Sequence, residues 1–239
     1  MKNPIVILHG WGLSSRVFAP LVVELRKQHM SVYAPDLPGF GDSVIPDRAL
    51  TLDDYVSFLE AYFKKNRITE PVIIGHSFGG RVALRYTLVH PKSAAALVLT
   101  GAPGYTPVPR KKLLLFIAVA KIGKLFFFIP LVSALRDHVR RWYYYVVGAR
   151  DYYRAEGVMR DTFKNIVREE LVTSMKTVQI PTKLIWGRDD VIVPVGVARR
   201  MQETIPGATL TVVPDVGHGL PYKHPKEFCA VVLPWLESL

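Results

Sequence analysis

The chain has 239 residues, of which 49% are hydrophobic and 21% are charged, so a large apolar core can form within one globular domain. Cys229 is the single cysteine, which excludes an intramolecular disulfide framework. The apolar part of the N-terminus is too short for a signal peptide and no small-residue cleavage site follows it, so we expect a cytoplasmic location.

Short apolar segments alternate with helical ones along most of the chain. The apolar segments lack the every-second-residue alternation of a half-exposed sheet, so we predict an α/β fold with a mainly parallel sheet buried on both faces. Thr51 begins one helix, with Asp54 three residues later as an imperfect capping box. Strands are predicted at residues 4–8, 31–34, 72–74, 95–100, 183–186 and 209–213, and further helices at residues 17–28, 81–90 and from Pro225 onward.

Residues 103–178 interrupt this alternation. Their pattern is helical at residues 111–124, 125–145 and 151–176, with the last stretch interrupted at Gly157 and elsewhere. Because the segment lies between two predicted strands, we interpret it as a helical cap inserted into a core formed by residues 1–102 and 179–239. Lys121, Lys124 and Pro130 divide its apolar part, which argues against a transmembrane helix.

The same segment carries most of the excess positive charge. It contains fourteen Lys or Arg and six Asp or Glu, a net charge of +8 within the total of +11. Such an excess indicates an anionic partner. The sequence has no nucleic-acid-binding motif, so we do not expect that partner to be nucleic acid.

The most informative motif is G-x-S-x-G, formed by Gly75-His76-Ser77-Phe78-Gly79. It follows an apolar strand and precedes a helix, which is the arrangement of a nucleophile elbow. The glycines permit a turn so sharp that the serine takes a strained backbone conformation, and the helix N-terminus favours negative charge beside it. Ser77 is therefore predicted to be a nucleophile. Taken alone, the motif also fits a glycine-rich turn without a catalytic role.

Acyl transfer by a serine also needs a base and an acid that orients the base. His218 lies between two glycines directly after the strand at residues 209–213, where it can approach Ser77, and we predict it to be the base. Asp189 and Asp190 follow the strand at residues 183–186. Either aspartate would lie at the ligand-binding edge of a parallel sheet.

Donors for the oxyanion are expected in the loop after the first strand, His9-Gly10-Trp11-Gly12. The backbone amides of Trp11 and Phe78 are the predicted donors, each worth about 3–4 kcal/mol of the activation barrier. We expect the side chains of Trp11 and Phe78 to line the substrate pocket, although a core position is the alternative for Trp11. His9 and His76 flank these motifs and are interpreted as structural or pocket-orienting residues.

These motifs occur in chain order, each at the end of a predicted strand, and together they resemble the α/β-hydrolase superfamily over essentially the whole chain. The resemblance implies a Ser–Asp–His triad without metal or cofactor, and the usual spacing selects Asp190 over Asp189. Ser77 at the elbow disfavours the branches that use an aspartate nucleophile. The motifs starting at His9, Asp36, Gly75 and His224 are similar to the carboxylesterase group, in particular the pimeloyl-acyl-carrier-protein methyl ester esterases and their lipase-like relatives.

The family usually has a β-hairpin before the first strand, and this sequence has only three residues there. The resemblance then implies a sheet of about six strands with residues 31–34 at an open edge. Exposed edges promote pairing with other chains. We expect this edge to be covered by a local loop or paired in a homodimer.

The predicted triad and the resemblance imply hydrolysis of a small-molecule carboxylic ester. Residues 113–120 and 125–132 of the cap are strongly apolar, which favours an apolar acyl group. Those residues could equally pack over the core. The alternatives are a C–C bond hydrolase or cofactor-free haloperoxidase with the same triad, a membrane-surface lipase, and a non-catalytic acyl-binding module. The basic residues of the cap suit an anionic carrier such as acyl-carrier protein, or an anionic membrane surface: Arg110, Lys111, Lys112, Arg136, Arg140 and Arg141.

Overall fold

A parallel sheet forms the centre of the molecule. The computed structural model describes residues 3–104 and 155–239. Within these residues the sheet has six strands in the order β2-β1-β3-β4-β5-β6, and every neighbouring pair is parallel, as predicted. The strands are β1 (Ile5–Leu8), β2 (Val32–Tyr33), β3 (Val72–His76), β4 (Ala96–Thr100), β5 (Thr182–Gly187) and β6 (Thr209–Val213).

Helices cover both faces of this sheet. Successive strand residues point to opposite faces, so Val6 and Leu8 belong to one apolar core and Ile5 and Ile7 to the other. Burial on both faces explains why β1, β3 and β4 are almost continuously apolar in the sequence. The helices of the described part are α1 (Ala19–Lys27), α2 (Leu52–Asn66), α3 (Phe78–Val89), α4 (Gly157–Arg168), α5 (Val195–Thr204), α6 (Leu220–Lys223) and α7 (Pro225–Glu237).

The capping box predicted at the start of α2 is present in both directions. The Asp54 amide donates to Thr51 Oγ1 over 3.4 Å, and the Thr51 amide donates to Asp54 Oδ2 over 2.7 Å. Both amides would otherwise lack a partner at the helix N-terminus. This prediction is confirmed.

Part of the predicted cap lies within the described residues. Helices predicted at residues 111–124 and 125–145 lie outside them, whereas the third stretch contains α4 and a 3-10 helix, Ser174–Thr177. The helix α4 is bonded to the loop before α2, since the Leu50 amide donates to Thr162 Oγ1 over 3.0 Å and Asn165 Nδ2 donates to the Leu50 carbonyl over 3.2 Å. The domain boundaries at residues 103 and 178 stay predictions.

A buried arginine of α3, Arg81, contacts the described parts of the predicted cap. The Arg81 guanidinium donates to the carbonyl oxygens of Pro103, over 2.7 Å, and Ile166, over 2.9 Å, and also to that of Glu169. Burial lowers the pKa of Arg81 to about 10, so it stays charged at neutral pH. Carbonyl acceptors on both sides of the undescribed residues therefore converge on one side chain.

The strand β2 forms one edge of the sheet. Arg26 of α1 donates from Nη2 to the Val32 carbonyl over 3.2 Å, and the Val32 side chain is buried. The edge is therefore covered in part by a side chain of the neighbouring helix, and the homodimer remains a prediction. Among the helices that the structure describes, none is long and apolar enough to cross a membrane.

Candidate active site

Ser77 lies at the turn between β3 and α3. Its backbone is in the left-handed region, with φ 52° and ψ −117°, and its amide donates to the Thr100 carbonyl over 3.0 Å. The turn brings α3 directly onto β1, because a Cβ on Gly79 would lie only 2.3 Å from the Leu8 carbonyl oxygen. Only glycine fits at that position, and the serine is held in the strained conformation typical of a nucleophile elbow.

The histidine and one of the two candidate aspartates are in direct contact. His218 Nδ1 donates to Asp190 Oδ2 over 2.8 Å. Asp190 is only 4% exposed, and its Oδ1 accepts from the amides of Ile192, over 2.9 Å, and Val193, over 2.8 Å. Asp189 is exposed to solvent. The structure therefore brings Asp190, and not Asp189, to His218.

The loop that carries Asp190, after β5, is hydrogen-bonded to the end of β6 and to the loop after it that carries His218. The Arg188 amide donates to the Val213 carbonyl over 2.8 Å, and the Asp189 amide donates to the Val216 carbonyl over 3.0 Å. The backbone of Asp189 thus fixes the position of its neighbour Asp190. The pairing explains how residues so far apart in the sequence meet at the carboxyl edge of the sheet.

Ser77 and His218 line the same cavity, which has a volume of about 560 Å³. Trp11 also lines it, whereas Phe78, the other residue expected to line the substrate pocket, is buried and is not among the described lining residues. Apolar side chains form most of the wall, as is usual for small-molecule pockets. The remaining described lining residues are Gly10, Gly12, Leu13, Gly39, Phe40, Ile45, His76, Ala155, Glu156, Met159, Ile192 and Tyr222.

Trp11 is fixed by aromatic rings on three sides. Its ring centroid lies 4.8 Å from that of Phe40, 5.3 Å from Phe78 and 5.0 Å from Phe163 of α4, each in an edge-to-face arrangement. Such contacts stabilise a single side-chain orientation. The helix α4 therefore contributes both to the cavity wall and to the support behind it.

Two backbone amides next to Ser77 have no acceptor among the residues of the described ranges. They belong to Trp11 and Phe78, the predicted oxyanion donors, and the Phe78 amide is the first of α3. The loop of Trp11 is close to the elbow, since a Cβ on Gly10 would lie 3.2 Å from Ser77 Cβ. Free amides at a helix N-terminus can stabilise a developing negative charge.

Comparison with known proteins agrees with this fold. The profile of the alpha/beta hydrolase family matches residues 5–231, which is nearly the whole chain. The chain belongs to the alpha/beta hydrolase family.

Relatives of this hydrolase have several named activities. A pimeloyl-[acyl-carrier protein] methyl ester esterase of Nitrosomonas europaea is 29% identical, covering 94% of this chain and 92% of the relative. A 2-hydroxy-6-oxo-6-(2'-aminophenyl)hexa-2,4-dienoic acid hydrolase of Metapseudomonas resinovorans is 25% identical, covering 98% and 84%. The crystal structure of a bromoperoxidase from Bacillus anthracis has a TM-score of 0.76 at 22% identity, covering 99% and 92%, which shows the shared fold.

His9 is hydrogen-bonded within the loop after β1, which carries the predicted oxyanion donor Trp11. Its Nδ1 donates to the Gly10 carbonyl over 2.8 Å, and its Nε2 accepts from the Leu37 amide over 3.0 Å. Burial lowers the pKa of His9, outweighing the opposite effects of Gly10 and Asp36. Both nitrogens are occupied by backbone groups, so His9 has a structural position. No group of His, Cys, Asp and Glu in the described chain could hold a metal ion.

Gly101, at the end of β4, is a site residue that the sequence motifs do not reveal. Its φ is +56°, and a Cβ there would lie 2.8 Å from His218 Nδ1 and 3.4 Å from Asp190 Oδ2. The His218–Asp190 contact therefore requires glycine at this position. A glycine directly after the strand that follows the elbow is the signal that could have identified it.

We expect Gly101→Ala to reduce kcat/KM by about 100-fold, because a displacement of about 1 Å in a catalytic group can cost this much. Gly207→Ala is the matched control, since Gly207 also has a positive φ, +69°, but no atom within 4 Å of a built Cβ. Both variants should lose about 1–3 kcal/mol of unfolding free energy from backbone strain. Ester hydrolysis and thermal unfolding measure the two effects, and equal activity in the two variants would contradict the prediction.

Proposed function

We propose that this chain is a serine esterase that cleaves carboxylic esters with an apolar acyl group through an acyl-enzyme on Ser77. The proposal rests on one observation. The buried Asp190 carboxylate accepts a hydrogen bond from His218, and His218 lines the same cavity as Ser77. A nucleophile, a base and an acid that orients the base are the groups required for acyl transfer.

In the proposed reaction, His218 Nε2 takes the proton from Ser77 Oγ as the oxygen attacks the ester carbonyl carbon. Asp190 holds the Nδ1 proton of His218 and stabilises the imidazolium that forms. The amides of Trp11 and Phe78 donate to the oxyanion. His218 then protonates the leaving alcohol, and the C–O bond to the alcohol breaks.

The second half of the reaction uses the same groups. His218 removes a proton from water, the hydroxide oxygen bonds to the acyl carbon, and the bond to Ser77 Oγ breaks. Ser77 recovers its proton from His218, and the carboxylic acid leaves. Each bond formed is matched by one broken, and no other reactant is needed.

The charge of the cavity wall favours an uncharged ester. Among the lining residues of the described ranges, Glu156 is the acidic one and there is no lysine or arginine. The dienoic acid named for one relative carries a carboxylate, which would meet Glu156 without a basic partner in that part of the wall. A neutral ester, as in the methyl ester esterase relatives, meets no such cost.

An acyl-carrier-bound ester is a proposal that rests on those relatives and on charge. The basic residues predicted to contact an anionic carrier, Arg110 to Lys112 and Arg136 to Arg141, lie outside the described residues. A carrier held by surface charge would lose affinity as salt screens the attraction. A salt-dependent KM for a carrier-bound methyl ester, but not for a free one, would support this proposal.

The test of the proposed function is a panel of p-nitrophenyl esters from acetyl to palmitoyl, with a serine-directed phosphonate as a label. We expect hydrolysis of these esters, with a preference for acyl chains longer than acetyl because the cavity wall is apolar, and covalent labelling of Ser77. Turnover of a vinylogous diketone with none of the esters would indicate a C–C bond hydrolase. Ligand binding without labelling would indicate a non-catalytic module.

A further inference from the structure

His76, the residue before the elbow serine, contacts the backbone of the predicted base. His76 Nε2 lies 2.9 Å from the main-chain carbonyl oxygen of His218, and the two ring centroids are 4.8 Å apart. A carbonyl oxygen can only accept, so Nε2 carries the proton of the neutral ring. The side chain of His218 is thus fixed by Asp190 and its main chain by His76.

The other nitrogen of His76 has no hydrogen-bond partner among the residues that the structure describes. Nδ1 is fully buried and unbonded among the described residues, and a Cβ on Gly10 would lie 2.9 Å from it. A proton there would be a buried donor without an acceptor, which is costly. The rings of Phe18 and Tyr222, at 5.8 and 5.5 Å, close two other sides of His76.

These surroundings keep His76 neutral. Burial lowers the pKa of His76 to about 3, and the neighbouring rings of His218 and His9 lower it as well. A charged His76 would oppose the positive charge that His218 acquires when it takes a proton. A neutral donor can hold the His218 backbone without this repulsion.

We propose that His76 is a positioning residue, whose Nε2–H holds the main chain of His218 so that the imidazole faces Ser77. This inference rests on the proposed function, since it assigns His218 as the base. His76 lines the cavity but is only 1% exposed, and in this assignment it takes no part in the bonds that form and break. Its effect is on the orientation of His218.

The test compares H76M with H76Q, because Met and Gln have similar length and only Gln has an N–H that can reach the His218 carbonyl. We expect H76M to lower kcat by about 10- to 100-fold with KM changed less than about twofold, because the base is misplaced while His76, only 1% exposed, contributes little surface to the cavity wall. H76Q should recover kcat to within about fivefold of the wild type. The amide of H76N is too short to reach the carbonyl, so this variant should show the same loss of kcat as expected for H76M. H76N takes the place of H76M in the comparison if the apolar H76M does not fold.

A second readout does not depend on substrate. The proton between His218 Nδ1 and Asp190 should give a strongly downfield proton NMR signal in the wild type and in H76Q, and a broadened or absent one in H76M and H76N. If the wild type cleaves no ester, the proposed function fails, but this signal still tests the contact. H76M or H76N with unchanged kcat and signal would overturn the proposal, and so would an H76Q as impaired as the other two.

Discussion

Replacing Ser77 with alanine is expected to reduce ester hydrolysis by at least about 10⁴-fold, because the attacking oxygen is lost while the binding cavity and oxyanion donors remain. The protein should keep its fold. Alanine retains the Cβ and the amide that donates to the Thr100 carbonyl, so the backbone at φ 52° is as strained as before and no more. Initial rates with p-nitrophenyl esters and thermal unfolding by circular dichroism measure the two expectations.

The control for this variant is Ser57→Ala, which removes a hydroxyl from the exposed face of α2. It should leave both activity and unfolding temperature unchanged within error. Undiminished turnover in Ser77→Ala would show that the elbow serine is not the nucleophile. Loss of structure in Ser77→Ala would instead contradict the expectation that the fold does not depend on this hydroxyl.

Replacing Asp190 with asparagine is expected to lower kcat by about 10⁴-fold. The asparagine oxygen can still accept from the Ile192 and Val193 amides. Its NH₂ group then faces His218 Nδ1 and donates to it, which moves the imidazole proton to Nε2. A histidine protonated at Nε2 cannot accept the proton of Ser77.

The matched control is Asp189→Asn, one residue away on the same loop. Because the Asp189 side chain is exposed and only its backbone amide is bonded, to Val216, activity should stay within about threefold of the wild type. Measuring kcat and KM for both variants on one ester separates the two residues. Similar losses in both would contradict the assignment of Asp190.

The inner strands β1, β3 and β4 were predictable because they are buried on both faces and are therefore almost entirely apolar. The helix α5 was not predicted, since Gly196 lies in its first turn and only Val197, Ala198 and Met201 of its ten residues are buried. Arg81 is another difference, because a charged residue in a helix suggests an exposed face, and here it is buried against carbonyl oxygens. These features depend on contacts between distant segments.

The candidate site was predictable where a motif fixes local geometry, as at Ser77, and where the family order of residues points to Asp190 and His218. Phe78 shows the limit of this reasoning. Its amide lies at the elbow, but its side chain points into the core, with its ring 4.9 Å from that of Tyr55. Gly101 and His76 contact His218 through the folded arrangement of three strands, which no local spacing encodes.

The contacts of Arg81 with Pro103, Ile166 and Glu169 also bear on how substrate range can diversify. Pro103 and Ile166 lie on either side of the undescribed residues 105–154, and one guanidinium holds both. The entropy of closing a loop grows only slowly with its length. Insertions of different length and sequence between these two points can therefore be exchanged without moving the sheet beneath them, and we expect substrate range to change with the inserted segment while Ser77, Asp190 and His218 stay in place.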